Sequence, residues 1–314
     1  MELRNLGRSG LRVSLVGLGC NNFGGRIELE ASRKVVHKAL DLGITLFDTA
    51  DTYGNFGGSE TCLGEILGAR RKDIVLASKF GMPMNAEGTI KGASRRYIVS
   101  EIEASLKRLK TDWIDLYQLH QPDPLTPIEE TLRALDDLVR QGKVRYIGCS
   151  NLPAWQVVEA QWTARELGLN AFVSAQDEYS LVVRDIDREL IPALQAYDMG
   201  LLPFFPLASG LLTGKYKRNA ALPAGTRLAN AQRLADRFLT EANWQIAERL
   251  QDFAGTRGHS LLELAFSWLA CRPQVASVIA GATKPEQLEQ NVKAANWALT
   301  PAEMAEIDRI TKPA

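Results

Sequence analysis

Residues 44–53 read ITLFDTADTY, an apolar run that ends in a carboxylate and leads on to a tyrosine. The two-residue period of a β-strand places Ile44, Leu46 and Asp48 on one side of this run. A carboxylate beside aliphatic side chains is costly to bury unless a cation accompanies it. The Asp-Thr-Tyr-Gly that follows favours a turn that carries Tyr53 over the end of the strand. The stretch therefore predicts a buried strand with an ionisable residue at its carboxyl end.

The next two apolar runs end in the same way. IVLASK finishes at Lys79, and WIDLYQLH finishes at His120. In an eight-stranded α/β barrel the carboxyl ends of the strands converge on one face, where active sites lie. We therefore predict that Asp48, Tyr53, Lys79 and His120 form one catalytic centre.

The strand–helix unit repeats eight times, with the nearly continuous apolar strands that parallel sheets require. The predicted strands are 15–19, 44–48, 74–79, 113–120, 144–149, 172–176, 201–205 and 275–279. The predicted helices are 28–42, 59–67 with Ser59 as N-cap, 94–109 with Ser94 as N-cap, 127–141, 153–167, 187–197, 261–271 and 285–295. A hairpin at 2–13, a long basic loop at 206–242 and a terminal helix at 301–310 lie outside the repeat. The pattern predicts one α/β domain over residues 1–314, a (β/α)8 TIM barrel, with a doubly wound sheet as the alternative.

The glycines after the first strand invite comparison with a dinucleotide-binding fingerprint. Gly17 and Gly19 fit the first half of GxGxxG, but Asn22 stands in place of the third glycine and no helix follows directly. We therefore exclude a Rossmann fold and assign these glycines to a loop that needs their backbone freedom.

Composition indicates an ordinary globular protein, with 46% hydrophobic residues, 24% charged residues and a formal net charge of zero. This balance does not favour binding to nucleic acid or to a membrane surface, and no apolar run reaches the length of a membrane span. The four cysteines are scattered without a CxxC motif, which favours reduced thiols in a cytoplasmic protein. The N-terminal region is interrupted by charges, unlike a signal peptide. No His, Cys and Asp residues have the spacing of metal ligands.

The four predicted catalytic side chains suit protonation of a carbonyl oxygen. An ammonium about 4 Å from a phenolate interacts with it by roughly 4 kcal/mol at an effective dielectric of about 20, and free tyrosine has a pKa of about 10. We therefore expect Lys79 to lower the pKa of Tyr53 toward neutrality while Asp48 keeps Lys79 charged. His120 can donate a hydrogen bond that orients the carbonyl. No side chain delivers hydride, so this chemistry requires a nicotinamide cofactor.

The remaining strand ends offer groups that can hold the nicotinamide. Ser150, Asn151 and Gln176 close the fifth and sixth strands and can bind a carboxamide. Phe204 or Phe205 can stack on the ring.

Basic segments can hold the phosphates of the cofactor. The loop 206–242 contains glycine and several basic residues and can fold over a pyrophosphate. Thr283 and Lys284 lie just before a helix and can bind a further phosphate at its N-terminus. A 2′-phosphate there indicates NADPH rather than NADH.

The chain resembles the aldo-keto reductases across nearly its whole length. The motifs that carry the resemblance are, in order, FDTADTYG, IVLASK, SLKRLKTDWIDLYQLHQPD, GKVRYIGCSN, PLASGLLTGKY and IAGATKPEQLEQN. The opening LGRSGLRVSLVGLG resembles the bacterial and potassium-channel-β-subunit-like branch of that family. The resemblance implies a (β/α)8 barrel that binds NADP(H) in an extended pose without a Rossmann fold.

The resemblance also implies roles for individual residues. Tyr53 becomes the general acid and base, Lys79 and Asp48 tune it, and His120 orients the carbonyl. The positions that match the family's nicotinamide, pyrophosphate and adenosine-phosphate contacts are, in turn, Ser150, Asn151 and Gln176; Leu207, Ser209, Gly210, Leu211 and Lys215; and Thr283, Lys284, Gln287 and Asn291.

Two positions depart from the family pattern. Phe204-Phe205 replaces the usual tyrosine and serine, which keeps stacking on the nicotinamide but removes a hydroxyl hydrogen bond. Lys284 stands where an arginine is common, so a bidentate phosphate contact is lost while the charge is kept.

Each candidate has a structural explanation when taken alone: a buried ion pair, a rim tyrosine, a core histidine or a helix N-cap. Their joint placement at strand ends favours an NADPH-dependent reductase of a small-molecule carbonyl, and oxidation of an alcohol is also compatible with it. The alternatives are an NADPH-binding regulatory subunit with weak turnover and an aldolase that uses Lys79 as nucleophile. The substrate and the oligomeric state stay open. The candidate walls of the substrate site are Asn22, Phe23, Tyr53, Phe80, Met82, His120 and 121–126.

Overall fold

The computed structural model describes residues 1–311. A short antiparallel hairpin precedes an eight-stranded parallel sheet. The strands are β1 (Leu3–Asn5), β2 (Arg12–Ser14), β3 (Val16–Gly19), β4 (Leu46–Asp48), β5 (Val75–Phe80), β6 (Ile114–Leu119), β7 (Val144–Ser150), β8 (Ser174–Gln176), β9 (Gly200–Leu201) and β10 (Val278–Gly281). The helices are α1 (Leu29–Asp41), α2 (Tyr53–Leu67), α3 (Arg95–Leu109), α4 (Ile128–Arg140), α5 (Ala154–Leu167), α6 (Leu190–Ala196), α7 (Gln232–Phe238), α8 (Glu241–Gly255), α9 (Leu261–Ala270), α10 (Pro285–Ala294) and α11 (Pro301–Thr311).

The sheet closes into a barrel. Its order is β10-β3-β4-β5-β6-β7-β8-β9, so each strand lies beside the next one along the chain. The ring is completed just before β10, where Leu201 N donates to Gln274 O at 2.7 Å and Ala276 N donates to Leu201 O at 3.0 Å. A doubly wound sheet reverses its strand order at a switch point and stays open. The predicted (β/α)8 TIM barrel is therefore confirmed.

The hairpin closes the amino-terminal end of the barrel. Leu6 and Val13 are fully buried and pack with the inward-facing aliphatic residues of the strands. Arg4 Nη1 donates to the carbonyl oxygens of Ala270 at 2.7 Å and Val275 at 3.1 Å. Because these residues fill one end, the carboxyl end of the barrel is the end available to a ligand.

The start of α2 differs from the prediction. The structure begins this helix at Tyr53 rather than at an N-cap Ser59, and residues 54–57 have left-handed backbone angles that interrupt its first turns. Ser59 is buried, and its hydroxyl donates to Cys20 O at 2.8 Å instead of capping the helix. The left-handed stretch turns the chain directly after Tyr53, while Asp51 N donates to Lys79 O at 3.1 Å and Tyr53 N donates to Ala50 O at 3.2 Å in the loop that joins Tyr53 to β4.

Other predicted bounds shift for local reasons. The strand predicted at 201–205 is limited to Gly200–Leu201, although Leu202 N and Phe204 N still donate to Ala175 O and Asp177 O at 2.9 and 3.0 Å. The predicted N-cap Ser94 is confirmed, since its hydroxyl accepts from Tyr97 N at 3.3 Å. Within residues 1–311, no helix combines the length and the apolar character needed to cross a membrane.

Candidate active site

A buried ion pair lies at the carboxyl ends of β4 and β5. Lys79 Nζ donates to Asp48 Oδ2 at 2.6 Å and to the carbonyl oxygen of Thr49 at 2.9 Å, and the lysine side chain is fully buried. Burial alone lowers the pKa of Lys79, but Asp48 and Tyr53 more than offset this effect and raise it above its ordinary value. Lys79 is therefore a cation in the folded protein, which does not suit the nucleophilic amine of an aldolase.

Asp48 receives two further hydrogen bonds that hold its carboxylate in place. Gln176 Nε2 donates to Asp48 Oδ1 at 2.8 Å, and Gln118 Nε2 donates to the same oxygen at 3.3 Å. A buried carboxylate needs such donors to compensate for its lost hydration. Sequence reasoning missed Gln118, although its place two residues before His120 on β6 puts it on the inner face of the strand.

Tyr53 contacts the ion pair through Lys79. Lys79 Nζ lies 3.4 Å from Tyr53 Oη and 4.9 Å from the centre of its ring. Burial raises the pKa of Tyr53, Asp48 raises it further, and Lys79 opposes both without reversing them. The prediction that Lys79 brings the pKa of Tyr53 below its ordinary value is therefore wrong for this structure, because desolvation of the phenolate is the larger effect. Tyr53 is a neutral phenol and carries the proton that a general acid must give.

His120 lies beside Tyr53 and is buried. The two rings meet edge to face, with centroids 5.6 Å apart. Burial lowers the pKa of His120 well below its ordinary value, and the Lys79 charge lowers it further, so the imidazole is neutral. His120 Nδ1 is buried without a hydrogen-bond partner in the described part of the chain. An unpartnered ring nitrogen at this place can bind a polar group of a ligand.

The three candidates for the nicotinamide carboxamide lie next to this centre. Ser150 Oγ donates to Gln176 O at 2.8 Å, while Asn151 Nδ2 donates to Ser150 Oγ and to His120 O, both at 3.0 Å. Asn151 has a left-handed backbone with φ 59°, which turns its side chain back over the strand ends. The predicted helix-cap alternative for Ser150 and Asn151 is wrong, because the residue that precedes α5 is Pro153 and neither side chain caps that helix.

The aromatic pair after β9 lies under a basic side chain. The rings of Phe204 and Phe205 are 5.4 Å apart, and the Arg227 guanidinium sits 5.0 Å from the centre of the Phe205 ring. Burial lowers the pKa of Arg227, and the nearby charge of Arg26 lowers it further. Among residues 1–311 no carboxylate lies within ion-pair distance of Arg227. Sequence reasoning placed Arg227 in the basic loop but gave it no individual role.

The loop that follows makes a tight turn, Ala208–Thr213, that contains most of the predicted pyrophosphate contacts. Ser209 and Gly210 have left-handed backbone angles, with φ 56° and 103°. Ser209 Oγ is buried without a partner among the described residues, and the Lys215 ammonium packs over the Tyr216 ring at 5.0 Å. Of the other predicted pyrophosphate contacts, Leu207 is half-buried and Leu211 is buried. A turn with an unpartnered hydroxyl and a nearby ammonium suits an anionic ligand.

The last predicted group lies at the start of α10. Gln287 Oε1 accepts from Thr283 N at 2.7 Å and from Lys284 N at 3.2 Å. Lys284 is exposed and Asn291 is buried one turn further along the helix. Thr283, Lys284 and Gln287 therefore lie at one helix N-terminus, the kind of place that binds phosphate.

Two of the predicted substrate walls are wrong. Phe23 and Phe80 are fully buried, and Phe80 packs against Tyr117 with ring centroids 4.8 Å apart. Their side chains belong to the layer between strands and helices. In the described chain, no group of three or more His, Cys, Asp or Glu residues is arranged to hold a metal ion.

The fold and this cluster define a TIM-barrel protein with a phenol, an ammonium, a carboxylate and an imidazole at the carboxyl end of its strands. The family model of the Aldo/keto reductase family matches residues 15–312. The chain is 37% identical to a probable voltage-gated potassium channel subunit beta of Oryza sativa subsp. japonica, with 99% of this chain and 97% of the relative covered. It is 37% identical to the L-glyceraldehyde 3-phosphate reductase of Escherichia coli (strain K12), with 98% and 92% covered. The chain belongs to the aldo/keto reductase family and is an oxidoreductase of that family.

Proposed function

We propose that this protein reduces an aldehyde or ketone to an alcohol with NADPH, reversibly, and that Tyr53 is the general acid. The observation that carries the proposal is the contact of Lys79 Nζ with both Asp48 Oδ2, at 2.6 Å, and Tyr53 Oη, at 3.4 Å. Lys79 and Asp48 are buried, and Tyr53 is half-buried. Membership of a family whose relatives include a named reductase supports the same reaction class.

The residues of the centre divide the work. Tyr53 holds its proton at neutral pH and gives it to the carbonyl oxygen, and Lys79 stabilises the phenolate that remains. Asp48 keeps Lys79 charged and oriented through a hydrogen-bonded carboxylate. Neutral His120 donates a hydrogen bond to the same carbonyl oxygen. The nicotinamide, when bound, supplies the hydride.

The cofactor residues are proposed from their placement and chemistry. Ser150, Asn151 and Gln176 would hold the carboxamide, and Phe204 would stack on the ring. The pyrophosphate would lie against Leu207, Ser209, Gly210, Leu211 and Lys215, and the adenosine phosphate against Thr283, Lys284, Gln287 and Asn291. The buried, unpartnered Ser209 Oγ supports this fit, because a buried hydroxyl normally has a partner.

Two further features are proposed with this function. The lysine at 284 offers a charge to a 2′-phosphate without the bidentate grip of an arginine, so we expect NADPH to be preferred over NADH by a modest factor. All four cysteines are unpaired, which supports a reducing, cytoplasmic location.

The first test is a carbonyl panel scored by loss of NADPH absorbance, with NADH run alongside. Tyr53→Phe should lower kcat by about 10² or more while the dissociation constant of NADPH stays unchanged, because general acid catalysis contributes on that scale. Tyr197→Phe is a matched control, since Tyr197 follows α6 at the opposite end of the barrel from the ion pair. Full activity in Tyr53→Phe would remove Tyr53 from its role.

A second candidate function is an NADPH-binding regulatory subunit with weak turnover. The similarity to a protein described as a probable potassium channel subunit beta favours it. Single-turnover measurements separate the two: fast oxidation of bound NADPH by a simple aldehyde supports the enzyme, and tight NADPH binding with no detectable oxidation supports the subunit.

A further inference from the structure

A second cluster of ionisable groups lies behind Tyr53, toward helix α3. Asp51 is completely buried in the loop between β4 and Tyr53. Its Oδ1 accepts from Thr52 N at 2.6 Å, and its Oδ2 lies 3.0 Å from Tyr97 Oη on α3. Asp51 N donates to Lys79 O at 3.1 Å. The loop that carries Tyr53 is thus fastened to α3 by a side chain and to the Lys79 strand by its backbone.

This cluster holds more carboxyl groups than cations. Arg108 Nε donates to Glu60 Oε2 at 2.7 Å, and Arg108 Nη2 donates to Glu101. Both acids therefore share one guanidinium, and no cation of residues 1–311 forms an ion pair with Asp51. If all three carboxyl groups were ionised, the buried cluster would carry two uncompensated negative charges, which is costly. A proton on Asp51 removes one of them.

The surroundings of Asp51 agree with that charge count. Burial raises the pKa of Asp51 well above its ordinary value, the carboxylates of Glu101 and Glu60 raise it further, and the bonds from Tyr97 and Thr52 offset only part of the rise. The hydroxyl of Tyr117 is buried nearby without a partner in the described chain and is neutral. The charged and titratable groups that surround Asp51 are Tyr53, Glu60, Lys79, Tyr97, Glu101, Arg108 and Tyr117.

We propose that Asp51 is a positioning residue for Tyr53, because its neutral carboxyl group ties the Tyr53 loop to helix α3 and keeps a further negative charge away from the phenol. The inference rests on the proposed function, in which Tyr53 transfers a proton. A carboxylate at Asp51 raises the pKa of Tyr53 and makes it a weaker acid. A protonated Asp51 keeps both hydrogen bonds without that penalty, since its carbonyl oxygen accepts from Thr52 and its hydroxyl can donate to Tyr97.

Three substitutions test the positioning. Asn in place of Asp51 reproduces a neutral acid, with an oxygen for Thr52 and an amide donor for Tyr97, whereas Asp51→Ala removes both contacts. We expect Asp51→Ala to lower kcat by about 10²-fold, because small misplacements of a reacting group have effects of that size. Asp51→Asn should restore most of the loss, and Tyr97→Phe should fall between them at about tenfold. The dissociation constant of NADPH, measured by fluorescence, should not change in any of the three.

The state of the proton is tested separately from activity. Urea unfolding of wild type and Asp51→Asn is compared between pH 5 and pH 9. A group that keeps its proton in the folded state and loses it on unfolding makes the unfolding equilibrium constant rise by up to tenfold per pH unit as the pH rises. We expect wild type to show this extra rise relative to Asp51→Asn. The exposed Asp198 provides the matched control, and Asp198→Asn should follow wild type.

The outcomes are distinct. Parallel pH dependence of wild type and Asp51→Asn shows an ionised Asp51 and overturns the proposal, as does an Asp51→Asn variant that folds but is as slow as Asp51→Ala. Tyr197 lies after α6 at the opposite end of the barrel, so Tyr197→Phe should keep the wild-type kcat. It is the control for the loss of a tyrosine hydroxyl in Tyr97→Phe. If the wild-type protein shows no NADPH-dependent turnover, the proposed function is overturned instead. That result comes from the wild-type assay alone and does not depend on the variants.

Discussion

At the scale of single residues, the centre depends on the buried ion pair of Lys79 and Asp48, which would oppose folding if its remaining hydrogen bonds were not satisfied. Removing two ions from water costs several kcal/mol each, and their attraction recovers this only when other hydrogen bonds are satisfied. Asp48 meets that condition through Lys79, Gln176 and Gln118. The pair can therefore serve structure and chemistry at once, and the two contributions can be separated by experiment.

Lys79→Met should lower the free energy of unfolding by about 3–5 kcal/mol, because it leaves the Asp48 carboxylate buried without its cation. The double variant Asp48→Asn/Lys79→Met should regain much of that stability, since no uncompensated charge remains. Neither variant should reduce carbonyls at a measurable rate. Urea unfolding and the NADPH assay check both points, and a fast double variant would assign the pair to structure alone.

Asp177 should make the protein less stable as the pH rises. Burial raises the pKa of Asp177 to about 8, with a partial offset from the Asn151 amide, and its Oδ2 has no partner among the described residues. The folded state then keeps a proton that the unfolded chain releases above its ordinary pKa of about 4. The stability is complete below that value and is lost as the pH rises through about 8.

Asp177→Asn should flatten this dependence, by up to about 1.4 kcal/mol per pH unit between pH 5 and 8. Unfolding midpoints in urea across that range measure it. The exposed Asp41→Asn on helix α1 serves as control and should keep the wild-type slope. A slope unchanged in Asp177→Asn would contradict a proton held on Asp177.

At the scale of elements, the turn after β4 is as important for the position of Tyr53 as the strand itself. Gly54 has φ 70°, and a Cβ at this position would overlap the carbonyl oxygen of Phe23 and the amide nitrogen of Ser59. The loop after β3 therefore packs directly on the turn that carries Tyr53. This contact accompanies the left-handed residues 54–57 that precede the regular turns of α2.

Gly54→Ala should lower both stability and kcat, since the neighbouring backbones must move apart and Tyr53 moves with them. Gly168→Ala is the matched control, because Gly168 has φ 63° but no atom within 4 Å of an added Cβ. The control should lose only the cost of a left-handed alanine, about 1 kcal/mol. Thermal unfolding and the carbonyl assay measure the difference, and equal losses in the two variants would contradict the steric explanation.

At the scale of the whole molecule, stability and chemistry are concentrated at opposite ends of the barrel. The hairpin fills the amino-terminal end with Leu6 and Val13, while the ionisable centre lies at the carboxyl end. The strands between them form a continuous hydrogen-bonded ring. Substitutions at the closed end should therefore change folding far more than catalysis.

Leu6→Ala should lower the free energy of unfolding by about 2–5 kcal/mol, the usual cost of a cavity in a packed core. Leu3→Ala in the same hairpin is the control, because Leu3 is 39% exposed and should lose less than 1 kcal/mol. Where the protein is fully folded, kcat of Leu6→Ala should equal that of wild type. A large fall in kcat would mean that the two ends are coupled.

The barrel and the face that holds the centre were predictable because they depend on local patterns. A run such as IVLASK is apolar, of strand length and ends in an ionisable residue whatever the rest of the chain does. The residue at the N-cap of α5, Pro153, was not predicted, and β9 is shorter than the strand predicted at 201–205. Helix caps and strand ends were harder to predict because they depend on which partners lie within hydrogen-bond distance.

The sequence alone determined that an acid, an amine and an imidazole end successive strands of one (β/α)8 barrel, with a phenol in the loop that follows the acid. Only the tertiary structure decided their electrostatics: Tyr53 becomes a weaker acid than free tyrosine, His120 is neutral, and Gln118 supports Asp48. It also placed Phe23 and Phe80 in the core rather than in the cleft. The reason is that the position of a strand end depends on neighbouring residues in the chain. Burial and hydrogen bonding depend on contacts with residues far apart in sequence.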